Sequence, residues 1–193
     1  LTTISTGTVV ITHGNALGSA ASGTTINTTQ GAALDIRGGI TLAEPLTFTG
    51  GSNAKNCLVN NSGSNTLSAL MNTAGGRYYI NGGTTLVIAG GITNNPFFVI
   101  NGSGTIIVRS TPLTMGTGNF YADDSTLTVI DVASNQWGQL TIAKGIVRMN
   151  VKDALPAAAT VRLGLGYGSW GTFDLNGFDQ TTTQIYAEGT NSP

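Results

Sequence analysis

The chain has 193 residues and a net charge of −1, and only 9% of its residues are charged, against about 25% in an ordinary soluble domain. That balance leaves no basic footprint for nucleic acid, which needs clustered Lys and Arg, because the eight basic residues are scattered from Arg37 to Arg162. The single cysteine, Cys57, excludes an intrachain disulfide and a thiolate zinc site and reads as a small buried hydrophobe; no apolar run approaches the ~20 residues of a membrane helix.

Taken from the N-terminus, the chain begins strand-like at Leu1-Thr-Thr-Ile4. Residues 1–50 then give short strands divided by Gly, Thr and Asn: Thr8-Val-Val-Ile11, Thr24-Thr-Ile26, Ala33-Leu-Asp-Ile36 and Leu46-Thr-Phe48. Each has apolar residues at alternate or adjacent positions, β-branched enrichment and turn residues at its ends. Asp35 sits between two apolar residues, as an outward strand position should, and Gly38 closes the strand where a positive φ or tight corner is expected. Residues 51–142 keep the rhythm with Cys57-Leu-Val59, Arg77-Tyr-Tyr-Ile80, Thr85-Leu-Val-Ile88, Phe97-Phe-Val-Ile100, Thr105-Ile-Ile-Val108, Thr126-Leu-Thr-Val-Ile130 and Gln139-Leu-Thr-Ile142. Asn81-Gly82-Gly83 and Asn101-Gly102 follow strands directly. Such steps suit a hairpin turn or the corner of a solenoid coil, since both tolerate left-handed backbone. The best helix candidate, Val151-Lys-Asp-Ala-Leu-Pro-Ala-Ala-Ala159, is interrupted by Pro156 and supports a single turn near Asp153. Gln184-Ile-Tyr-Ala187 is the last strand. No segment has linker composition, so residues 1–193 are read as one continuous domain.

Internal repetition selects the architecture. Gly31-Ala-Ala-Leu-Asp-Ile-Arg-Gly-Gly-Ile40 returns as Gly171-Thr-Phe-Asp-Leu-Asn-Gly-Phe-Asp-Gln180, and Gly7-Thr-Val-Val10 as Gly145-Ile-Val-Arg148. Asn15-Ala-Leu-Gly18 matches Asp153-Ala-Leu-Pro156, and Gly23-Thr-Thr-Ile26 matches Ala159-Thr-Val-Arg162. The two modules, about 7–41 and 145–180, flank the strand-rich spacer 51–142. Many short strands allow a sandwich, a barrel or a β-solenoid; a recurring strand pattern that buries its apolar face by stacking on its neighbours favours the solenoid. Coils of about 20–25 residues give roughly eight or nine rungs and a single elongated all-β rod about 40 Å long at ~4.8 Å per strand. The two modules are expected at equivalent coil positions, with Leu34, Ile36, Phe173 and Leu175 inside and Asp35 and Asp174 outside.

These residues resemble the autotransporter-associated β-strand repeat. The first copy carries the likeness through Gly7-Thr-Val-Val-Ile11, Asn15-Ala-Leu-Gly18, Gly23-Thr-Thr-Ile26 and Ala33-Leu-Asp-Ile36, and the second through Gly171-Thr-Phe-Asp-Leu-Asn-Gly177 and Gln180. Asn65-Thr-Leu67, Gly83-Thr-Thr-Leu-Val-Ile88 and Gly104-Thr-Ile-Ile107 look like the spacers between such repeats, although the customary Asn-Thr-Tyr-Gly start is not seen before Gly23. The resemblance implies a right-handed parallel β-helix and a long, secreted or surface-displayed bacterial passenger protein. It also implies export through a membrane barrel, or another anchor, lying outside this stretch. The start at Leu1 without a signal peptide fits a mature or excised segment. Capping segments are absent at both ends, so further coils of the same protein or end-to-end stacking of identical subunits are expected partners.

Templates for chemistry find little purchase. Gly166, Gly168 and Gly171 spell G-x-G-x-x-G, but Thr172-Phe-Asp-Leu175 reads as a strand where a dinucleotide site needs a helix, so a glycine-rich corner is expected. There is no Walker A sequence, no G-x-S-x-G elbow and no calcium-roll motif. His13 is the only histidine and lies in a Thr-His-Gly-Asn turn, so it is expected in an exposed loop. Nine carboxylates remain: Asp35, Glu44, Asp123, Asp124, Asp131, Asp153, Asp174, Asp179 and Glu188. Cleavage of a glycosidic bond would need two of them about 5–10 Å apart across a cleft. The adjacent pair Asp123-Asp124 would face opposite sides of a strand or cap a turn. Trp137, Tyr167 and Trp170 are candidates for a sugar-binding platform or for interior packing. Asn27-Thr-Thr, Asn60-Asn-Ser and Asn101-Gly-Ser match the glycosylation acceptor pattern, as an Asn- and Thr-rich chain would by chance. The expectation is a structural or adhesive surface segment with no catalytic residues, metal or cofactor. It would contact further coils, cell-surface glycans or receptors, and neither nucleic acid nor the membrane interior. The alternative is a glycan-binding or polysaccharide-cleaving β-helix that uses its surface carboxylates.

Overall fold

The computed structural model describes residues 1–50, 56–93, 96–124, 126–166 and 168–188. The chain winds into a parallel β-solenoid of about eight turns with three sheets. Sheet A stacks Thr2–Ile4, Thr24–Asn27, Leu46–Thr49, Met71–Thr73, Ile92–Thr93 and Leu113–Thr114. Sheet B stacks Thr8–Ile11, Ala33–Ile36, Asn56–Asn60, Gly76–Ile80, Phe97–Gly102, Asn119–Ala122, Gln139–Ile142, Thr160–Leu163 and Gln184–Ala187. Sheet C stacks Thr41–Leu42, Ser64–Leu67, Thr85–Ile88, Thr105–Arg109, Leu127–Asp131, Gly145–Met149 and Gly171–Asp174. Each full coil visits A, then B, then C. Leu58 pairs with Tyr78, 20 residues on, and Thr8 pairs with Ala33, 25 residues on, so the coils have the expected length.

Alternation within the strands builds the core. In Gly76–Ile80, Tyr78 and Ile80 are buried while Arg77 and Tyr79 are half-buried on the outer surface. Stacking then lines up like positions: Leu34 on Leu58, Leu58 on Tyr78, Tyr78 on Ile100, Ile100 on Ala122 and Ala122 on Ile142. An interior aromatic file climbs through these coils. Phe48 meets Tyr78 at 5.7 Å, Tyr78 meets Phe98 at 4.6 Å, Phe98 meets Phe120 at 5.4 Å and Phe120 meets Trp137 at 5.5 Å between ring centroids. Full burial of each such side chain contributes roughly 1.5–3 kcal/mol. One corner is polar: buried Asn60 donates to Thr84 Oγ1 (2.8 Å), and its own Oδ1 accepts from Asn65 (2.7 Å). Asn65 in turn accepts the Ile40 N–H (2.8 Å), so the amides replace main-chain partners where the chain turns.

The strand pairings among the described residues are parallel, which decides the Asn-Gly steps: they are solenoid corners, not hairpins. Gly102 closes its strand at φ +102, with a hypothetical Cβ 2.2 Å from the Ile80 carbonyl oxygen of the coil below. Only glycine allows that approach. Gly38 and Gly177, at φ +90 and +80, sit in the turns that follow strands Ala33–Ile36 and Gly171–Asp174. Residues 151–159 form turns with no helix, and Thr28–Gln30, a single 3₁₀ turn capped by Asn27, was not foreseen. The short strands Thr41–Leu42, Met71–Thr73, Ile92–Thr93 and Leu113–Thr114, and Asn119–Ala122 of sheet B, also add to the expected set. No helix among the described residues is long and apolar enough to cross a membrane.

Two expectations about the repeat are corrected. The modules do not occupy equivalent positions: Thr8–Ile11, Thr24–Asn27 and Ala33–Ile36 lie on sheets B, A and B, whereas Gly145–Met149, Thr160–Leu163 and Gly171–Asp174 lie on C, B and C. The second copy is rotated by one face. Leu34 and Ile36 are buried as expected, but Phe173 is only partly buried and Leu175 is 44% exposed. The reason is position. Gly171–Asp174 is the edge strand of sheet C, so no coil among the described residues covers it, and Leu175 falls just beyond the strand in a turn where its carbonyl accepts the Phe178 N–H (2.9 Å).

Candidate functional site

The residues singled out from sequence separate into structural roles. Cys57 is buried and donates to the Arg77 carbonyl (3.2 Å); burial pushes its thiol up to about 12. Its core neighbour Tyr78 is likewise raised well above the usual phenol value, first by burial. His13 is exposed in its turn, and its Nδ1 accepts the Asn15 N–H (3.2 Å). Gly166 and Gly168, at φ +90 and +75, make a corner ahead of strand Gly171–Asp174. Asn60 and Asn101 are buried, so neither presents its amide as a glycosylation acceptor, and Asn27 accepts the Gln30 N–H (3.4 Å).

Seven of the nine carboxylates make local contacts, although one oxygen of buried Glu44 has no partner among the described residues. Asp35 points outward on its strand yet is 6% exposed, because Arg37 (2.7 Å) and Asn61 (3.2 Å) close over it. The Arg148 guanidinium (2.7 Å), aided by the Asn176 N–H, holds the Asp174 carboxyl below the usual carboxylate range. Glu44 is buried and accepts the Thr24 hydroxyl (2.6 Å). Asp131 accepts from Asn150 (3.4 Å), and Glu188 pairs with Arg162. Asp153 and Asp179 are exposed. Asp123 and Asp124 form a turn: Asp123 Oδ1 accepts the Asp124 N–H (3.1 Å), and Asp124, at φ +57, accepts the Gly102 N–H (3.3 Å). Among the described residues no three His, Cys, Asp or Glu side chains lie close enough to share a metal ion.

The suspected tryptophan platform does not form. Trp137 is 2% exposed and packs edge-on against Phe120 inside the rod, while Trp170 is 74% exposed on the corner before the last sheet C strand. Tyr167 lies outside the described residues.

A different set of aromatic residues gathers on the outer face of sheet B. The registers Asn56–Arg77–Val99–Tyr121–Thr141–Arg162–Tyr186 and Phe97–Asn119–Gln139–Thr160–Gln184 form two adjoining outward files, and Val59–Tyr79–Asn101 a third. Tyr79, Phe97, Tyr121 and Tyr186 are half-exposed there. Phe97 and Tyr121 touch, with centroids 4.4 Å apart and planes inclined at 38°. Charges on this face are balanced, since Arg77 pairs with Asp123 (3.4 Å) and Arg162 with Glu188. Amides fill the remaining space. Gln139 donates to the Tyr186 hydroxyl (2.8 Å) and accepts from Thr141 (3.3 Å); Asn101 donates to Asn56 Oδ1 (3.3 Å). Asn101 is 9% exposed, and its Oδ1 has no hydrogen-bond partner among the described residues. An acceptor left so costs about 1–3 kcal/mol. Beside this face, at the corner leading in from sheet A, a shallow open depression is lined by Thr93, Pro96, Thr114, Met115 and the glycine turn at Gly116 and Gly118.

Sequence reasoning passed over these tyrosines. The signal was available: in Arg77-Tyr-Tyr-Ile80 and Asn119-Phe-Tyr-Ala122 two aromatics are adjacent, so one of each pair must face outward. No protein-family model, no curated protein and no solved structure matches the chain.

Proposed function

We propose that this chain is a structural and adhesive segment of a bacterial cell-surface or secreted protein, acting as a stalk or scaffold in the manner of an autotransporter passenger. The observation that carries the reading is the continuous core. One file of stacked side chains runs from coil to coil, and its corners are short turns closed by glycine and asparagine, with little built above them. Such a body suits spacing and display. The carboxylates support it further, because Asp35, Asp174 and Asp123 are tied to arginines and Asp124 to a turn.

Two measurements test this reading. Protease treatment of intact source cells should release peptides of this chain, and the purified protein should release no reducing ends from polysaccharides. Peptides seen only after lysis would remove the surface assignment. Reducing ends that survive inactive-carrier controls would favour a polysaccharide-cleaving β-helix instead.

A further inference from the structure

We propose that the outer face of sheet B binds a neutral polysaccharide built of flat, equatorially linked hexoses, with the chain lying along the solenoid axis. The proposal rests on the reading of this segment as adhesive, and it names the ligand. Three observations carry it. First, Phe97 and Tyr121 form one aromatic surface across two successive coils, and Tyr79 adds a ring on the coil before them, in a different file. Pyranose rings present a patch of C–H groups that stacks on such rings as other apolar surfaces do. Second, the coils repeat at ~4.8 Å, close to the length of one pyranose ring, so an extended chain meets each coil with about one sugar. Third, the polar groups suit hydroxyls: Arg77 is matched by Asp123 and Arg162 by Glu188, so the described residues of the face carry balanced charge. The amides of Asn56 and Gln139 and the hydroxyl of Tyr186, each partly exposed and already hydrogen-bonded to neutral neighbours, supply uncharged donors and acceptors beside the rings. A uronate polymer would need unpaired cations, and the two arginines described on this face are both paired.

The experiment is retention of the purified chain on microcrystalline cellulose and chitin, alongside affinity electrophoresis in soluble hydroxyethyl cellulose and in polygalacturonate. The intact chain should be retained by at least one neutral glycan and unretarded by polygalacturonate. Tyr79→Ala and Tyr121→Ala should each weaken retention about tenfold, the loss of one good contact. Tyr121→Phe should keep most of it, and Trp170→Ala, which removes an aromatic side chain that is 74% exposed outside the face, should change nothing. Unfolding midpoints of the variants separate lost binding from lost fold. Absence of retention on every neutral glycan, stronger binding to polygalacturonate, or equal losses with Trp170→Ala would each overturn the proposal. None of those results bears on surface exposure or on reducing-end release, so the broader reading stands or falls separately.

Discussion

Cys57 shows how far one side chain can be read before and after the fold is known. Low charge and a lone cysteine mark it as a buried hydrophobe, and the structure places it under strand Gly76–Ile80, with burial raising its thiol from 9.0 to about 12. Because the folded-state value lies above the unfolded one, its stabilising contribution is complete below pH 9 and is lost as pH rises from there through about 12. Denaturation midpoints should therefore fall above pH 9 more steeply in the wild type than in Cys57→Ala, by up to about 1.4 kcal/mol per pH unit. Parallel slopes would remove the thiol from the account. The outward tyrosines could not be read with the same certainty. In Arg77-Tyr-Tyr-Ile80 alternation says that one tyrosine is inside, but only the register on Leu58 and Ile100 shows that it is Tyr78, leaving Tyr79 on the surface.

At the scale of the strand, most elements were legible because β-branched residues and glycine punctuation repeat at coil length. The short sheet A strands were not, since Ile92–Thr93 and Leu113–Thr114 each put one apolar residue inward and two residues carry no period. What a strand's own sequence cannot state is whether another strand will cover it. Leu140 and Leu175 look alike in sequence. Leu140 lies between Phe120 and Val161 and is fully buried, while Leu175 follows an edge strand and stays 44% exposed. Leu140→Asp should therefore cost several kcal/mol, combining lost burial with a charge among stacked coils. Leu175→Asp should cost about 1 kcal/mol or less. Chemical denaturation of the two variants side by side checks this, and similar midpoints would count against the stack as the main source of stability.

Across the whole molecule, apolar exposure collects at the two ends. Leu1, Val9 and Val10 in the first coil, and Leu165, Trp170, Leu175, Phe178 and Ile185 in the last two, are exposed, whereas among the described residues between them Leu70 and Ile146 are the large apolar side chains so exposed. The strands Thr8–Ile11 and Gln184–Ala187 are also the edges of sheet B among the described residues, and an edge strand templates pairing with another chain. The 193-residue chain should accordingly associate end to end, giving a weight-average mass by sedimentation that rises with concentration. Val10→Lys and Ile185→Lys should each lower that tendency at least severalfold. A strictly monomeric species over a wide concentration range would show that these ends do not recognise one another.

The rotation between the two modules has a consequence for how such a rod can lengthen. Six strand steps of sheet B separate Thr8–Ile11 from Gln139–Ile142, and the second copy then begins one side later, on Gly145–Met149. A passage first written across sides B, A and B was thus legible again across C, B and C. The prism treats its walls as interchangeable for this phrase. Growth by copying is then not confined to whole revolutions: an insertion that overshoots by a third of a circuit merely advances everything after it to the next wall.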